Sequence, residues 1–149
     1  MFRLRDADFN GDREFARRVH HEAYREVVMK QFGEWNEELQ DQFFEDGWSK
    51  GIIRQIVVID GVDGGVVQRV IRESREDELF LSELQLLPQF QRRGIGSGII
   101  RQLQSEAKSR GLPLRLQVLR DNQAQRLYER LGFIVMGETD TVVKMKWRG

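Results

Sequence analysis

The chain has no cysteine, which excludes disulfides, thiolate metal sites and a cysteine nucleophile together. Histidine is nearly as scarce. His20 and His21 are the only two, too few for a histidine-rich centre, so no metal is expected. An excess of one charge is also missing: 24 Lys and Arg balance 24 Asp and Glu. Without a global basic excess, nucleic acid is not expected as a partner. No run approaches the roughly 20 apolar residues needed to span a bilayer, and the N-terminus lacks a signal-peptide core. A soluble cytoplasmic protein with no membrane partner is therefore expected. Two nucleotide motifs are absent as well. There is no GK[ST] phosphate loop, and Gly94-x-Gly96-x-Gly98 is not the dinucleotide pattern GxGxxG, which needs glycine where Ile99 stands.

What is present describes one α/β domain over residues 1–149, with 40% hydrophobic residues and no linker or repeat. A chain of this length can bury roughly two thirds of its unfolded surface. Phe2–Arg5 alternates like a strand. Asp12 stands where it can cap a helix with Phe15, Val19, Ala23 and Val27 at helical spacing. Asn36 can cap a second helix, with Leu39 and Phe43 inward and Gly47 at its end. Ile52–Asp60 and Val66–Arg72 read as strands around a Gly61–Gly65 turn. Glu73–Glu78 reads as a solvated turn, followed by the mostly apolar strand Leu79–Leu87. Ile99, Ile100, Leu103 and Ala107 form an inward helical stripe that Gly111 and Pro113 stop. Leu114, Leu116 and Val118 alternate in the next strand, which completes a βαβ unit with a parallel pair. Ala124, Leu127, Tyr128 and Leu131 share one face of a short helix ending at Gly132, and Val143, Met145 and Trp147 suggest a last strand.

The segment Leu84–Ser97, LQLLPQFQRRGIGS, carries the most chemistry. An apolar strand runs out through Pro88, and Gln91-Arg92-Arg93-Gly94-Ile95-Gly96 opens a helix. Glycines let the backbone turn its N–H groups inward, and a helix start adds about half a positive charge. Such a turn suits a pyrophosphate, although a glycine-rich turn also serves plain close packing. Arg92 and Arg93 favour the anion, because two guanidiniums at a helix N-terminus oppose its dipole. Tyr128 is either a core aromatic or a proton donor. Glu83, on the face of Gln85 and Leu87 by period-two alternation, is either an ordinary strand glutamate or a base. His20 and His21 stand about 100° apart on a helix, so at least one is expected at the surface. Glu34, Glu37, Glu38, Asp41, Glu45 and Asp46 make the second helix acidic, which would attract a cationic amine or simply solvate the face.

The run LQLLPQFQRRGIGSGII resembles the cofactor-binding motif of the GNAT (GCN5-related N-acetyltransferase) superfamily, and VLRDNQAQRLYERLGF resembles its companion motif. The resemblance covers about half the chain, from Leu79 to Trp147. It implies a mixed, strongly twisted sheet flanked by helices, in which the strands Leu79–Leu87 and Leu114–Leu119 splay apart to admit pantetheine. It further implies an acetyl-CoA cosubstrate and direct transfer of acetyl to an amine. Backbone groups of Leu86 and Leu87 would pair with the pantetheine arm, the Leu87 N–H polarising the thioester carbonyl. N–H groups of Arg92, Arg93, Gly94, Ile95, Gly96 and Ser97, following Gln91, would hold the pyrophosphate, and Asn122 would cap its helix or touch the cofactor. Tyr128 becomes the general acid toward the thiolate, since a phenol is protonated at neutral pH. Tyr24, Phe32 and Trp35 would flank the acceptor groove. The family also allows a homodimer, an acceptor that is a small molecule or a protein amine, and, as the alternative class, a non-catalytic acyl-CoA sensor.

Overall fold

The computed structural model describes residues 1–49, 53–73 and 76–149. Ile52 of the expected strand and residues 74–75 of the expected turn lie outside them. Among the described residues, seven strands, β1 (Phe2–Asp6), β2 (Ile53–Ile59), β3 (Val62–Arg72), β4 (Glu78–Leu86), β5 (Leu114–Leu119), β6 (Ile134–Glu138) and β7 (Val142–Trp147), form one sheet. Its order is β1-β2-β3-β4-β5-β7-β6. Neighbours run antiparallel except β4 and β5. The α-helices among the described residues are α1 (Arg13–Phe32), α2 (Glu37–Ser49), α3 (Ile95–Arg110) and α4 (Ala124–Arg130). The expected parallel βαβ unit is β4-α3-β5. Among the described residues, no helix is long and apolar enough to cross a membrane.

Two apolar layers sandwich the sheet. On one face Ile99, Ile100, Leu103 and Ala107 of α3 pack with Val57, Val67, Leu79, Leu81, Leu114 and Leu116. On the other, Ala16 and Val19 of α1 and Phe44 and Trp48 of α2 cover Ile56, Val66 and Leu87. Each large aliphatic side chain buried this way contributes about 1.5–3 kcal/mol. The buried stripe of α2 is Gln40, Phe44 and Trp48, one position later than expected. Leu39 and Phe43 are exposed, and α2 continues past Gly47 to Ser49. Asn36 does cap this helix, accepting from the Leu39 N–H at 3.0 Å. Asp12 makes no side-chain cap to α1, because its carboxylate is engaged by Arg5 at 2.9 and 3.0 Å.

Two irregularities set the register. Asp60 and Gly61 both have positive φ, 51° and 83°, the pairing a two-residue hairpin turn requires. The turn is thus Asp60–Gly61, and residues 62–65, expected as loop, belong to β3. Farther along, Gln68 opposes Glu83 while Arg69 opposes Leu81, which leaves Ser82 as the extra residue of a β-bulge. Ser82 Oγ donates to the Gln68 carbonyl at 3.0 Å. The bulge flips the alternation of β4: Leu79 and Leu81 face α3, and beyond it Leu84 and Leu86 do. β6 was not expected. It is an exposed edge strand and so carries no alternating apolar pattern.

Candidate active site

β4 and β5 are paired only at Leu79↔Leu114 and Phe80↔Arg115, yet β4 runs to Leu86 and β5 to Leu119. The strands therefore part, and a cleft of about 560 Å³ opens beside them. Its walls come from α1 (Ala23, Tyr24, Val27), β4 (Leu84, Gln85, Leu86), the start of α3 (Gly96, Ser97) and α4 (Leu127, Tyr128). Gln31 fastens α1 to the C-terminal half. Its Nε2 donates to the Thr141 carbonyl at 2.9 Å, and its Oε1 accepts from the Asp121 N–H at 3.0 Å.

The Leu87 N–H does not face the gap. It donates to the Gly64 carbonyl of β3 at 2.9 Å, and Leu87 itself is buried under α1 and α2. Because alternate residues of an antiparallel strand point their backbone groups to opposite sides, the amides aimed at the parted β5 are those of Leu86 and Leu84. The Leu86 carbonyl already accepts from Gln91 Nε2 at 2.9 Å.

At the head of α3, Arg92 and Gly94 both adopt left-handed backbone, φ 63° and 79°, curling the chain around the helix end. The first intrahelical bond runs from the Gly98 N–H to the Gly94 carbonyl, so the N–H groups of Ile95, Gly96 and Ser97 have no intrahelical acceptor. Arg92, Gly94, Gly96 and Ser97 line the cleft. A Cβ at Gly96 would meet nothing nearer than Leu127 Cδ2 at 3.8 Å, whereas one at Gly98 would stand 2.7 Å from Phe2 Cε1. Glycine is thus demanded by protein packing at 98 but not at 96. The Arg93 guanidinium lies 5.5 Å from the Phe90 ring centroid, and the Ile95 side chain sits in the core. Neither side chain is part of the cleft lining.

Tyr128 stands in the cleft wall, 6% exposed, its ring 5.7 Å from that of Phe133. Burial first, and the Glu83 charge second, push its phenol up to about 12, so it is protonated at neutral pH. Among the described residues nothing hydrogen-bonds its hydroxyl. Asn122 precedes α4 by two residues, accepts from the Ala124 N–H at 2.9 Å and lines the cleft, while the cap position itself is Gln123.

Glu83 is not part of the cleft lining. Its Oε2 accepts from the Tyr24 hydroxyl at 3.3 Å and from Gln85 Nε2 at 2.9 Å. Burial pushes its carboxyl up to about 7. His20 and His21 are both buried, 6% exposed each, against the expectation of a surface histidine. The two Nδ1 atoms are 3.0 Å apart, and His21 Nε2 lies 2.7 Å from Asp41 Oδ1. Adjacent rings can both be buried because α2 roofs this side of α1, and each supplies the other's polar partner. Trp35 packs edge-on against His21 and Phe32 is half exposed; neither is part of the cleft lining. Of the three aromatics that the resemblance places beside the acceptor groove, Tyr24 is the one that lines the cleft.

The acetyltransferase (GNAT) domain family model matches residues 52–135. No curated protein matches the sequence. The fold is similar to PaiA N-acetyltransferase from Thermoplasma acidophilum in complex with coenzyme A, with TM-score 0.80 and 19% identity over 100% of this chain and 99% of that one. It is similar also to the ribosomal-protein-S18-alanine N-acetyltransferase from Escherichia coli, with TM-score 0.70 and 20% identity over 99% of this chain and 93% of that one. At such identity these two likenesses concern the fold, while the domain match spans more than half the sequence. The chain belongs to the GNAT acetyltransferase family and is an acetyl-CoA-dependent acyltransferase.

Proposed function

We propose that this acyltransferase moves the acetyl group of acetyl-CoA directly onto a primary amine, with residues 1–149 acting as one catalytic domain. The observation that carries this is the meeting of two features: β4 and β5 part above Phe80 and Arg115, and α3 opens its unpaired N–H groups and an empty Gly96 face to the same cleft. A diphosphate-bearing, extended cosubstrate suits that shape. The Leu84 and Leu86 amides act as the pairing edge for its pantetheine arm. The amides from Arg92 to Ser97 hold the diphosphate, with the Ser97 hydroxyl as a further donor.

The cosubstrate supplies an acyl group already activated as a thioester, so the protein's work is positioning and proton transfer. An N–H of β4 stabilises charge developing on the carbonyl oxygen, a role that passes from Leu87 to Leu86 or Leu84. Tyr128 gives its proton to the departing sulfur. Glu83 receives the proton that the acceptor's ammonium must lose before attack. Proton transfer by one positioned group contributes about 10²–10⁴-fold in rate.

The test is a binding titration by calorimetry with acetyl-CoA, followed by an assay of free thiol released in the presence of a panel of small amines and peptides. Binding with amine-dependent thiol release is expected, and the productive amine separates small-molecule from protein acceptors. Binding with no thiol release from any amine overturns the proposal in favour of a sensor.

A further inference from the structure

Glu83 is not part of the cleft lining, but Tyr24, whose hydroxyl donates to it, is. We propose that Tyr24 is the catalytic residue that meets the acceptor amine, taking its proton while passing its own to Glu83, so that the two side chains act as one base. This rests on the amine acetylation proposed above and names the side chain of that site which touches the nucleophile.

The geometry supports a relay through the phenol. Tyr24 projects from α1 into the cleft, and its hydroxyl donates to Glu83 Oε2 at 3.3 Å. Gln85 Nε2 donates to the same oxygen at 2.9 Å. Both neutral donors converge on one carboxylate oxygen, and among the described residues no arginine or lysine pairs with Glu83. Its Oε1 faces Gly47 of α2, 3.8 Å from where a Cβ there would stand. A carboxylate whose hydrogen-bond partners are neutral is a stronger base than one paired with a cation. Tyrosinate itself is not the base: the Glu83 charge, then burial, hold the Tyr24 phenol well above its ordinary value. The phenol instead conducts. One ammonium N–H bond breaks as an O–H bond forms on Tyr24. The original Tyr24 O–H breaks as one forms on Glu83. The amine ends neutral, the phenol unchanged, and the carboxylate becomes a carboxylic acid.

Among the described residues, the groups packed on the pair bring no competing cation. On α1, the His20 ring packs edge-on to Tyr24 with centroids 5.1 Å apart, and burial first, then the neighbouring His21, pushes it down to about 4, so it stays neutral. His21 turns to Asp41 of α2, which Arg17 also reaches. From α4 the facing group is Tyr128, a protonated phenol. From β3 the residue opposite Glu83 is the neutral Gln68.

The experiment compares wild type with Tyr24→Phe, Glu83→Gln and the double variant, using acetyl-CoA and the amine that releases most thiol in the panel. Expected is a loss of about 10²–10⁴-fold in kcat/KM for Tyr24→Phe with acetyl-CoA affinity unchanged. An inflection near pH 7 should be present in wild type and absent in Glu83→Gln, and the double variant should be no slower than the slower single one. Labelled tyrosine gives an independent readout, since the chain has only two tyrosines. In Tyr128→Phe protein, the Tyr24 Cζ resonance should titrate near neutral pH and stop doing so when Glu83→Gln is added. Full activity of Tyr24→Phe, losses that multiply in the double variant, or a Tyr24 resonance indifferent to Glu83 would each overturn the relay while leaving the acetyltransferase intact. Absence of thiol release from wild type with every amine sinks both.

Discussion

The Leu87 N–H donates to the Gly64 carbonyl at 2.9 Å, and that one bond orients the end of β4. With Leu87 committed to β3, the neighbouring amide of Leu86 turns to the parted side, as does that of Leu84 two residues earlier. Hydrogen exchange by NMR checks this directly. The Leu87 amide should be protected in the free protein, whereas those of Leu84 and Leu86 should exchange faster and become protected once acetyl-CoA is added. New protection at Leu87 alone would restore it as the carbonyl-facing donor.

Tyr128→Phe should lower kcat by about 10²-fold or more and leave acetyl-CoA affinity within a factor of about two, because it removes a proton and little surface. Steady-state thiol release and calorimetry give the two numbers. Equal losses in both would make the residue a packing element of the cleft wall.

Two glycines should respond in opposite ways. At Gly96 the added atoms enter the cleft, so Gly96→Asp should abolish acetyl-CoA binding without lowering Tm. An acidic residue in the first turn even suits the helix dipole. At Gly65 a Cβ would stand 2.5 Å from the Gln85 carbonyl oxygen. Backbone cannot yield as a flexible side chain does, so Gly65→Ala should cost about 1–3 kcal/mol. Thermal melts with and without acetyl-CoA check both, and a Gly96→Asp protein that still binds acetyl-CoA normally refutes the cradle.

Stability against pH should reveal two opposed titrations. His20 is pushed from 6.5 down to about 4, so the unfolded chain binds the extra proton between those values and stability falls as pH drops through that window. Glu83 is raised from 4.5 to about 7, so its contribution is present at low pH and is lost as pH rises from 4.5 to 7. Each is of order 3 kcal/mol at full extent, and in wild type they largely cancel between about pH 4.5 and 6.5. In Glu83→Gln the His20 slope should stand alone, with urea midpoints rising from pH 4 to 6.5. A flat profile in that variant would mean that His20 does not titrate as the geometry requires.

The alternation of Leu114, Leu116 and Val118, the stripe Ile99, Ile100, Leu103 and Ala107, and the glycine-rich opening of α3 are local patterns with local causes, so the βαβ unit and the turn that opens its helix were legible in the sequence. The same holds for Tyr128, which sits on the inner face of α4 by helical spacing. Other features depended on neighbours remote in the chain. The stripe of α2 fell on Gln40, Phe44 and Trp48 rather than Leu39 and Phe43 because α1 and the sheet determine which face is covered. The exposed strand β6 had no apolar period to announce it. His20 and His21 were both buried because each found a polar partner under α2, which single-residue hydropathy does not register.

Sequence alone determined the chemistry available: no thiol, two histidines, a glycine-rich turn at a helix start and a phenol on a short helix. Tertiary structure decided the directions in which that chemistry points. A bulge at Ser82 reversed the alternation of β4, the Gly64 carbonyl claimed Leu87, and α1 brought the Tyr24 hydroxyl across 59 residues to donate to Glu83. Backbone polarity and side-chain facing change with a one-residue shift in pairing, and only the neighbouring strand and helix specify that shift.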